Sequence, residues 1–224
     1  MANRSYLYSL SNRPTSYADR PETITGLSEW PYAVPFSYQV LMSGGPRLCS
    51  SLVSDGFEDD PPERRTRLYA ISGEFDAGYA RLRKFCAAVR AVSAGAPELR
   101  AQLDTTEKFL AEHRDRFLLL ETVELDTMAD SAEDALRASV EREIDLCRAA
   151  GAAVDALPAD VAEAGAWLAK ATGQGLETPF GGLVLDDDFD NTRDGGTSSP
   201  LGLSCWTEVL YFELWNRAEF EANQ

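Results

Sequence analysis

The sequence predicts an α+β protein in which a small sheet from the N-terminal part of the chain is covered by four to five helices. Short, strand-like segments occur before residue 73, whereas apolar stripes with helical spacing dominate after it. Strands that precede a run of helices are typical of a sheet with helices packed on one face. The 224 residues are predicted to form a single domain, with a strand and loop region at 1–72 and a mainly helical, acidic region at 73–224.

The first predicted element is a strand at Ser5–Leu10, which a turn-forming Ser-Asn-Arg-Pro sequence follows. Frequent prolines at 14–35 exclude a continuous helix and a central strand, so we predict a long ordered loop there. Phe36–Met42 is compatible with either a strand or a short helix. Arg67–Ser72 resembles the first strand in character and predicts a second strand of the same sheet.

Four helices are predicted next. The first carries an apolar stripe from Phe75 to Val89 at steps of four and three residues, and the second begins with Pro97 in its first turn. The third begins at Ser131, where an acidic residue three positions later resembles a capping box. The fourth spans about residues 160–171.

Two further segments are predicted, one as a buried strand and the other as a final helix. The sequence Phe117–Asp126 has an apolar run followed by alternation, which indicates a buried strand, with helical continuation as the alternative. Trp206–Phe220 places Leu210 and Leu214 in helical register among aromatic residues. We therefore predict a final helix that docks through aromatic packing.

The charge is distributed unevenly along the chain. Of the net charge of −16, residues 1–100 carry +1 and residues 101–224 carry −17. The negative charge of residues 101–224 repels phosphate backbones and anionic membranes, and it attracts cations or a basic protein surface. We therefore expect a basic protein partner, and neither a nucleic acid nor a membrane.

Targeting signals and cofactor motifs are missing from the sequence. The amino terminus lacks the apolar stretch of a secretory signal, and no run of about 18 apolar residues occurs, so a cytoplasmic protein is predicted. The four cysteines are far apart and form no C-x-x-C pair, which favours reduced thiols over a zinc site. Glycine-rich phosphate loops are absent too, and no cofactor is predicted.

An acidic loop near the C-terminal end is the strongest candidate for a special site. Its clustered carboxylates are the oxygen ligands that calcium and magnesium prefer. The calcium-loop pattern fails in two registers, because Leu201 or Thr197 stands where a bidentate glutamate belongs. A solvated acidic loop is the preferred interpretation, and metal binding is the alternative. The carboxylates in question belong to Asp186, Asp187, Asp188, Asp190 and Asp194.

The proline-rich N-terminal loop carries aromatic residues that include Trp30 and Tyr32. Long loops without secondary structure are often functional. Packing of these aromatics onto the core is the preferred interpretation. The alternative is a small-molecule site in which Arg13 or Arg20 binds an anionic group.

Candidate catalytic side chains are few. A serine or cysteine nucleophile would have to use His113, the single histidine, which falls on an apolar helical face and so favours a structural role. Glu121 and Glu124 are conceivable as an acid–base pair. Nothing in their spacing distinguishes them from other acidic pairs in an acidic protein.

Several stretches of the chain resemble a known family. They are the opening MANRSYLYSLSNRPTSYADRPETITGLSEWPYAVPFSYQVLMSG and the later segments TRLYAISGEFDAGYARL, FLLLETVELD and EVLYFELWNRAEFE. Together they resemble an uncharacterised bacterial protein family, a domain of unknown function. The resemblance implies a bacterial cytosolic protein, and it implies no activity and no catalytic residues.

The leading functional hypothesis is a non-enzymatic binding protein, of the immunity or antitoxin type, that docks a basic partner through its acidic half. The first alternative is a metal-assisted hydrolase or transferase that uses the Asp186 to Asp194 loop. The second alternative is a small-molecule-binding protein that uses the aromatic N-terminal loop.

Overall fold

The computed structural model describes residues 3–57, 59–61, 64–173, 178–191 and 199–223. Within these ranges the chain is an α+β protein with five strands and seven helices, which confirms the predicted fold class. The strands are β1 (Arg4–Leu10), β2 (Ile24–Pro31), β3 (Arg47–Ser50), β4 (Tyr69–Glu74) and β5 (Phe117–Glu121). The helices are α1 (Phe36–Met42), α2 (Phe75–Val92), α3 (Pro97–Glu112), α4 (Val123–Asp126), α5 (Glu133–Asp155), α6 (Val161–Gly173) and α7 (Arg217–Ala222).

The five strands form one antiparallel sheet in the order β2-β1-β5-β4-β3. The two strands of similar sequence, β1 and β4, belong to this sheet as predicted, and β5 lies between them. The central place of β5 follows from its sequence, since FLLLE is apolar on both faces and all but its first residue are buried.

The two faces of the sheet are covered in different ways. Side chains alternate along β1, so that Leu7 packs under the helices while Tyr6, Tyr8 and Leu10 belong to a second apolar cluster on the opposite face. The first face carries a helical layer in which α1, α2, α5 and α6 contact one another. The second face is covered by no helix of this layer, and Leu210 and Leu214 from the C-terminal end of the chain pack there.

The predicted helices form where their apolar stripes place them. Phe75, Leu82, Cys86 and Val89 of α2 are buried, and Pro97 occupies the first turn of α3. No helix within the described residues is long and apolar enough to cross a membrane.

Two N-terminal predictions are resolved by the structure. The prediction of a loop throughout residues 14–35 was wrong at Ile24–Pro31, which forms β2. This strand lies at the edge of the sheet, where proline at the last position removes no ladder hydrogen bond. Of the two alternatives for Phe36–Met42, the short helix is correct.

The capping box predicted for the third helix was wrong. The helix begins at Glu133, and its N-cap residue Ala132 makes no side-chain capping bond. The carboxylate of Asp130 accepts the Ala132 amide at 2.9 Å, so the chain turns before Ser131 reaches a capping position. Similarly, the strand predicted over Phe117–Asp126 ends at Glu121, and the four-residue helix α4 follows.

The final helix predicted over Trp206–Phe220 was also wrong, because only Arg217–Ala222 is helical. The residues before it are irregular, with bends at Glu208, Tyr211 and Phe212, and their start pairs with β2, where the Thr207 amide donates to the Leu27 carbonyl at 2.9 Å. Aromatic and β-branched residues have low helix propensity, and backbone pairing with a strand edge outweighs the weak helical register.

Candidate protein-binding surface

Residues 205–223, here called the C-terminal segment, cover the second face of the sheet. Leu210 and Leu214 are 4% and 9% exposed, and they close the apolar cluster around Tyr6 and Tyr8. The residues next to them point outward, with Val209 75%, Tyr211 57% and Trp215 46% exposed. The same segment therefore completes the core and exposes three large apolar side chains to solvent.

The first part of the C-terminal segment lies against the outer edge of β2. Ser28 pairs with Trp206 in an antiparallel bridge, and the Ser28 hydroxyl donates to the Cys205 carbonyl at 2.6 Å. Gly26 permits the close approach, because a Cβ atom at this position would lie 2.5 Å from the Glu208 carbonyl oxygen. A glycine in the strand is thus required for the segment to lie where it does.

The middle of the segment is held by the sheet itself. The Tyr8 hydroxyl donates to the Phe212 carbonyl at 2.6 Å, and the Tyr211 amide donates to the Glu29 carboxylate at 2.6 Å. The guanidinium of Arg4 lies 5.2 Å from the centre of the Tyr211 ring. These contacts fix the backbone and leave one side of the Tyr211 side chain accessible.

The end of the segment, α7, begins with a true capping box at Asn216 and Glu219. Arg20, which is 3% exposed, belongs to the N-terminal loop and contacts α7. Its guanidinium stacks on Tyr17 at 4.2 Å and on Phe220 at 4.5 Å, and it donates to the Leu52 carbonyl at 3.0 Å. Arg20 is therefore a structural link between the two ends of the chain.

Carboxylates surround the exposed apolar residues of the segment. Four glutamates and one arginine, Arg217, lie between residues 208 and 221, which gives this short stretch a net negative charge. We call the following set the acidic–aromatic surface: Glu208, Val209, Tyr211, Glu213, Trp215 and Glu219. Exposed aromatic side chains supply binding energy in protein interfaces, and charge at the rim directs the encounter with a partner of opposite sign.

His113 is tied to this surface. It does not lie within the second predicted helix but is the C-cap residue that follows α3. Its Nδ1 is 2.8 Å from the Phe109 carbonyl, its Nε2 is 2.9 Å from Glu208, and its ring stacks on Phe109 at 4.1 Å. Burial lowers the pKa of His113, but the bonds to Phe109 and Glu208 outweigh it and the net pKa is raised. These contacts connect α3 to the C-terminal segment.

The carboxylates of the acidic loop bind backbone groups. Asp190 accepts the amides of Gly202, Leu203 and Ser204 at 2.6, 2.8 and 2.8 Å. Asp187 accepts the first free amides of α3, from Glu98 and Leu99, at 2.9 and 3.0 Å, which is the position of an N-cap acceptor.

The remaining acidic-loop residues form local contacts. Asp186 accepts the Asp188 amide at 2.9 Å, and Asp188 accepts the side-chain amide of Asn191 at 2.7 Å. Asp194 lies outside the described residues. Within the ranges that the structure describes, no group of three or more His, Cys, Asp or Glu side chains could hold a metal ion.

The four residues of the predicted ligand loop are not brought together. Trp30 is buried at the end of β2, and Tyr32, with φ +62°, is 65% exposed beyond it. Arg13 and Arg20 belong to the loop at the other end of the β1–β2 hairpin, about 20 Å away at the usual rise of a strand. Arg13 stacks on Phe117 at 4.7 Å. The two pairs therefore cannot line one small-molecule pocket.

The two glutamates considered as an acid–base pair are separately engaged. Glu121 is buried and accepts the Leu52 amide at 2.7 Å and the Ser51 hydroxyl at 2.8 Å, while burial raises its pKa to about 7. Glu124 accepts the Arg4 amide at 2.9 Å and the Tyr6 hydroxyl at 3.0 Å. Neither faces a described cavity.

Sequence reasoning missed a different pair of carboxylates. Asp126 and Glu143 line a cavity of about 220 Å³ between α4 and α5, and Gln39 donates to Glu143 at 3.0 Å. Burial, together with the charge of Asp126, raises the pKa of Glu143 to about 7. One signal was available, since Glu143 stands three residues after Val140 and four before Cys147, on the buried stripe of α5.

Comparison with known proteins identifies a family and no function. Neither the curated proteins nor the solved structures include a match to this chain. The sequence model of one family matches residues 11–171, which is most of the chain and ends before the C-terminal segment. The chain therefore belongs to the family described as Domain of unknown function (DUF7822).

Proposed function

We propose that this protein is a non-enzymatic bacterial binding protein, of the immunity or antitoxin type, and that it docks a basic protein partner through the acidic–aromatic surface. The observation that carries the proposal is the exposure of Val209, Tyr211 and Trp215 on a segment whose alternate residues are buried. Exposed apolar side chains that are grouped together and rimmed by polar residues are typical of protein interaction sites.

The geometry of the segment favours a protein partner over a small molecule. The exposed side chains come from one short stretch of chain, whose backbone is hydrogen-bonded to the side chains of Tyr8 and Glu29 in the sheet. Aromatic side chains on a backbone that is already hydrogen-bonded to the sheet lose less entropy on association than those of a free chain.

Charge favours a basic partner. Glu208, Glu213 and Glu219 lie beside the exposed apolar residues, and residues 101–224 as a whole carry a net charge of −17. A field of this sign accelerates the encounter with a basic protein and disfavours nucleic acid and anionic lipid. The buried aromatic contacts would then supply most of the affinity.

The proposal is tested by affinity capture from the organism that encodes the protein, followed by identification of what co-elutes by mass spectrometry. The bait is the wild-type chain, a Tyr211→Ala/Trp215→Ala variant, or a Trp167→Ala control. Trp167 is a matched control, because it is 44% exposed and lies on α6, in the helical layer on the opposite face of the sheet.

We expect wild type and Trp167→Ala to capture the same basic protein at low salt, and the double variant to lose it. With purified partner, the double variant should bind at least about tenfold more weakly, as loss of interface aromatics does. High salt should slow association, since exposed charges are screened over about 8 Å at physiological ionic strength. Equal capture by all three baits, or a captured protein with an acidic surface, would contradict the proposal.

A further inference from the structure

A cleft of about 310 Å³ opens between the C-terminal segment and the β1–β2 hairpin. Its apolar wall includes Tyr8, Ile24, Leu210 and Leu214, and the half-exposed indole of Trp215 stands at its side. This volume is at the lower limit of small-molecule sites, so it suits a single side chain better than a cofactor or a drug-sized ligand.

The rim of the cleft carries one sign of charge. Glu208, Glu213 and Glu219 line it, and none of its described lining residues is basic. Glu208 already pairs with His113, and Glu219 accepts the Asn216 amide at 2.9 Å, so each keeps one carboxylate oxygen for another donor. Glu213 has no hydrogen-bond or ion-pair partner among the described residues. An anionic or neutral group would leave these carboxylates uncompensated.

We infer that the cleft receives an arginine side chain of the partner, an inference that rests on the proposed function because it names the residue by which a basic protein would enter this surface. The aliphatic stem of arginine packs on an apolar wall, while its planar fork donates to several carboxylates at once and stacks on an indole ring. Lysine presents a point charge that is more strongly hydrated and cannot stack in this way.

The inference is tested without a partner by titrating the purified protein with n-propylguanidinium, and with n-propylurea as a neutral analogue of the same shape. Binding is followed by the chemical shifts of the Gly26 and Asn216 backbone amides in proton–nitrogen correlation spectra, since both residues line the cleft. We expect saturable, millimolar binding of propylguanidinium at these amides and no saturable shift with propylurea.

Two charge-matched variants separate the cleft from the general acidic field. Glu213→Gln should weaken propylguanidinium binding about two- to fivefold, the size expected for an exposed ion pair. Glu221→Gln removes the same charge from α7 but lies outside the cleft, and it should leave the affinity unchanged. Circular dichroism of both variants checks that they are folded.

Equal shifts with the urea, or equal weakening by both variants, would overturn the inference. Propylguanidinium binding without any captured basic protein would support the cleft and count against the proposed function. Capture of a basic protein without propylguanidinium binding would support the proposed function and overturn the arginine site.

Discussion

The two faces of the sheet are stabilised by different means. The helical face is covered by continuous apolar stripes, so that residues such as Phe85, Leu82 and Leu168 have almost no exposed surface. The opposite face is covered by the C-terminal segment, whose Leu210 and Leu214 are buried and whose Phe212 is half-buried against the same cluster, while Tyr211 is exposed. Both layers leave large apolar side chains at the surface, among them Trp167 on α6, but the C-terminal segment has three of them between residues 209 and 215. This segment can therefore serve both folding and recognition.

This difference predicts different local stabilities. The apolar cluster under the helical layer joins residues of five helices, α3 included, whereas the segment depends on Leu210, Phe212 and Leu214 and on hydrogen bonds at the edge of β2. Elements with few buried apolar contacts open at lower free energy than the core. Amide exchange should therefore be faster in residues 205–223 than in α2 or α5.

The largest effect is expected from Phe85→Ala in the helical layer. Phe85 is 1% exposed and lies between Phe36 at 5.0 Å and Phe180 at 6.1 Å, so its removal leaves a cavity that these rings cannot fill. We expect the free energy of unfolding to fall by about 3–5 kcal/mol, as for other buried phenylalanines. Urea denaturation measures this loss, and Trp167→Ala serves as an exposed control. A loss under about 1 kcal/mol would show that the layer repacks.

A smaller and local effect is expected from Gly26→Val. The added side chain meets the Glu208 backbone and Leu210, so the C-terminal segment must leave β2 while the helices stay in place. We expect a loss of about 1–3 kcal/mol, typical of overpacking, with rapid proteolysis confined to residues 205–223. Gly95→Ala is the control, because nothing lies within 4 Å of a Cβ at that position. Uniform proteolysis of the whole chain would contradict the prediction.

The same comparison explains which parts of the fold could be predicted from the sequence. The stripes of α2, α3 and α5 and the alternation of β1 and β4 are local patterns, so they were predicted. The course of the C-terminal segment depends on Gly26 and on the free edge of β2, which lie about 180 residues earlier in the chain. Local register alone therefore favoured a helix.

Composition predicted the acidic half, and the basic partner stays a prediction. The acidic loop was the expected site, but its carboxylates Asp187 and Asp190 bind backbone amides. A capping carboxylate and a metal ligand have the same sequence signature, because both are acidic residues in a polar loop. The exposure of Val209, Tyr211 and Trp215 became recognisable once the segment was known not to be a helix.

A still smaller effect distinguishes buried carboxylates on the two faces. The folded protein raises the pKa of Glu143, in the helical layer, from the usual 4.5 to about 7, so between these values the folded state holds a proton that the unfolded state has lost. Stability therefore falls as the pH rises from 4.5 to 7 and is constant above that. Glu143→Gln removes this pH dependence of stability and keeps an oxygen that accepts the hydrogen bond from the Gln39 side chain.

We expect Glu143→Gln to match wild type near pH 4.5 and to be more stable by about 1 kcal/mol at pH 8, since the cavity admits solvent and reduces the full linkage value. Glu121→Gln, on the segment face, should lose the same pH dependence, because the pKa of Glu121 is also raised to about 7. Near pH 4.5 it should instead be less stable than wild type, because Ser51 and Leu52 both donate to the carboxyl group and an amide has one acceptor oxygen. Urea denaturation at the two pH values measures both. Identical pH profiles for Glu143→Gln and wild type would contradict the assignment.

The smallest effect is expected at the contact between the two faces, where His113 pairs with Glu208. Because the folded state raises the pKa of this histidine, the stabilisation is fully present below the unfolded value of about 6.5 and disappears as the pH rises through the folded value. The Glu208 side chain is 61% exposed, so the pair should contribute less than about 1 kcal/mol.

The single histidine gives one set of ring resonances in an NMR titration. In Glu208→Gln its pKa should fall and exchange in the C-terminal segment should accelerate, whereas an unchanged pKa would mean that Glu208 does not hold this segment to α3 in solution.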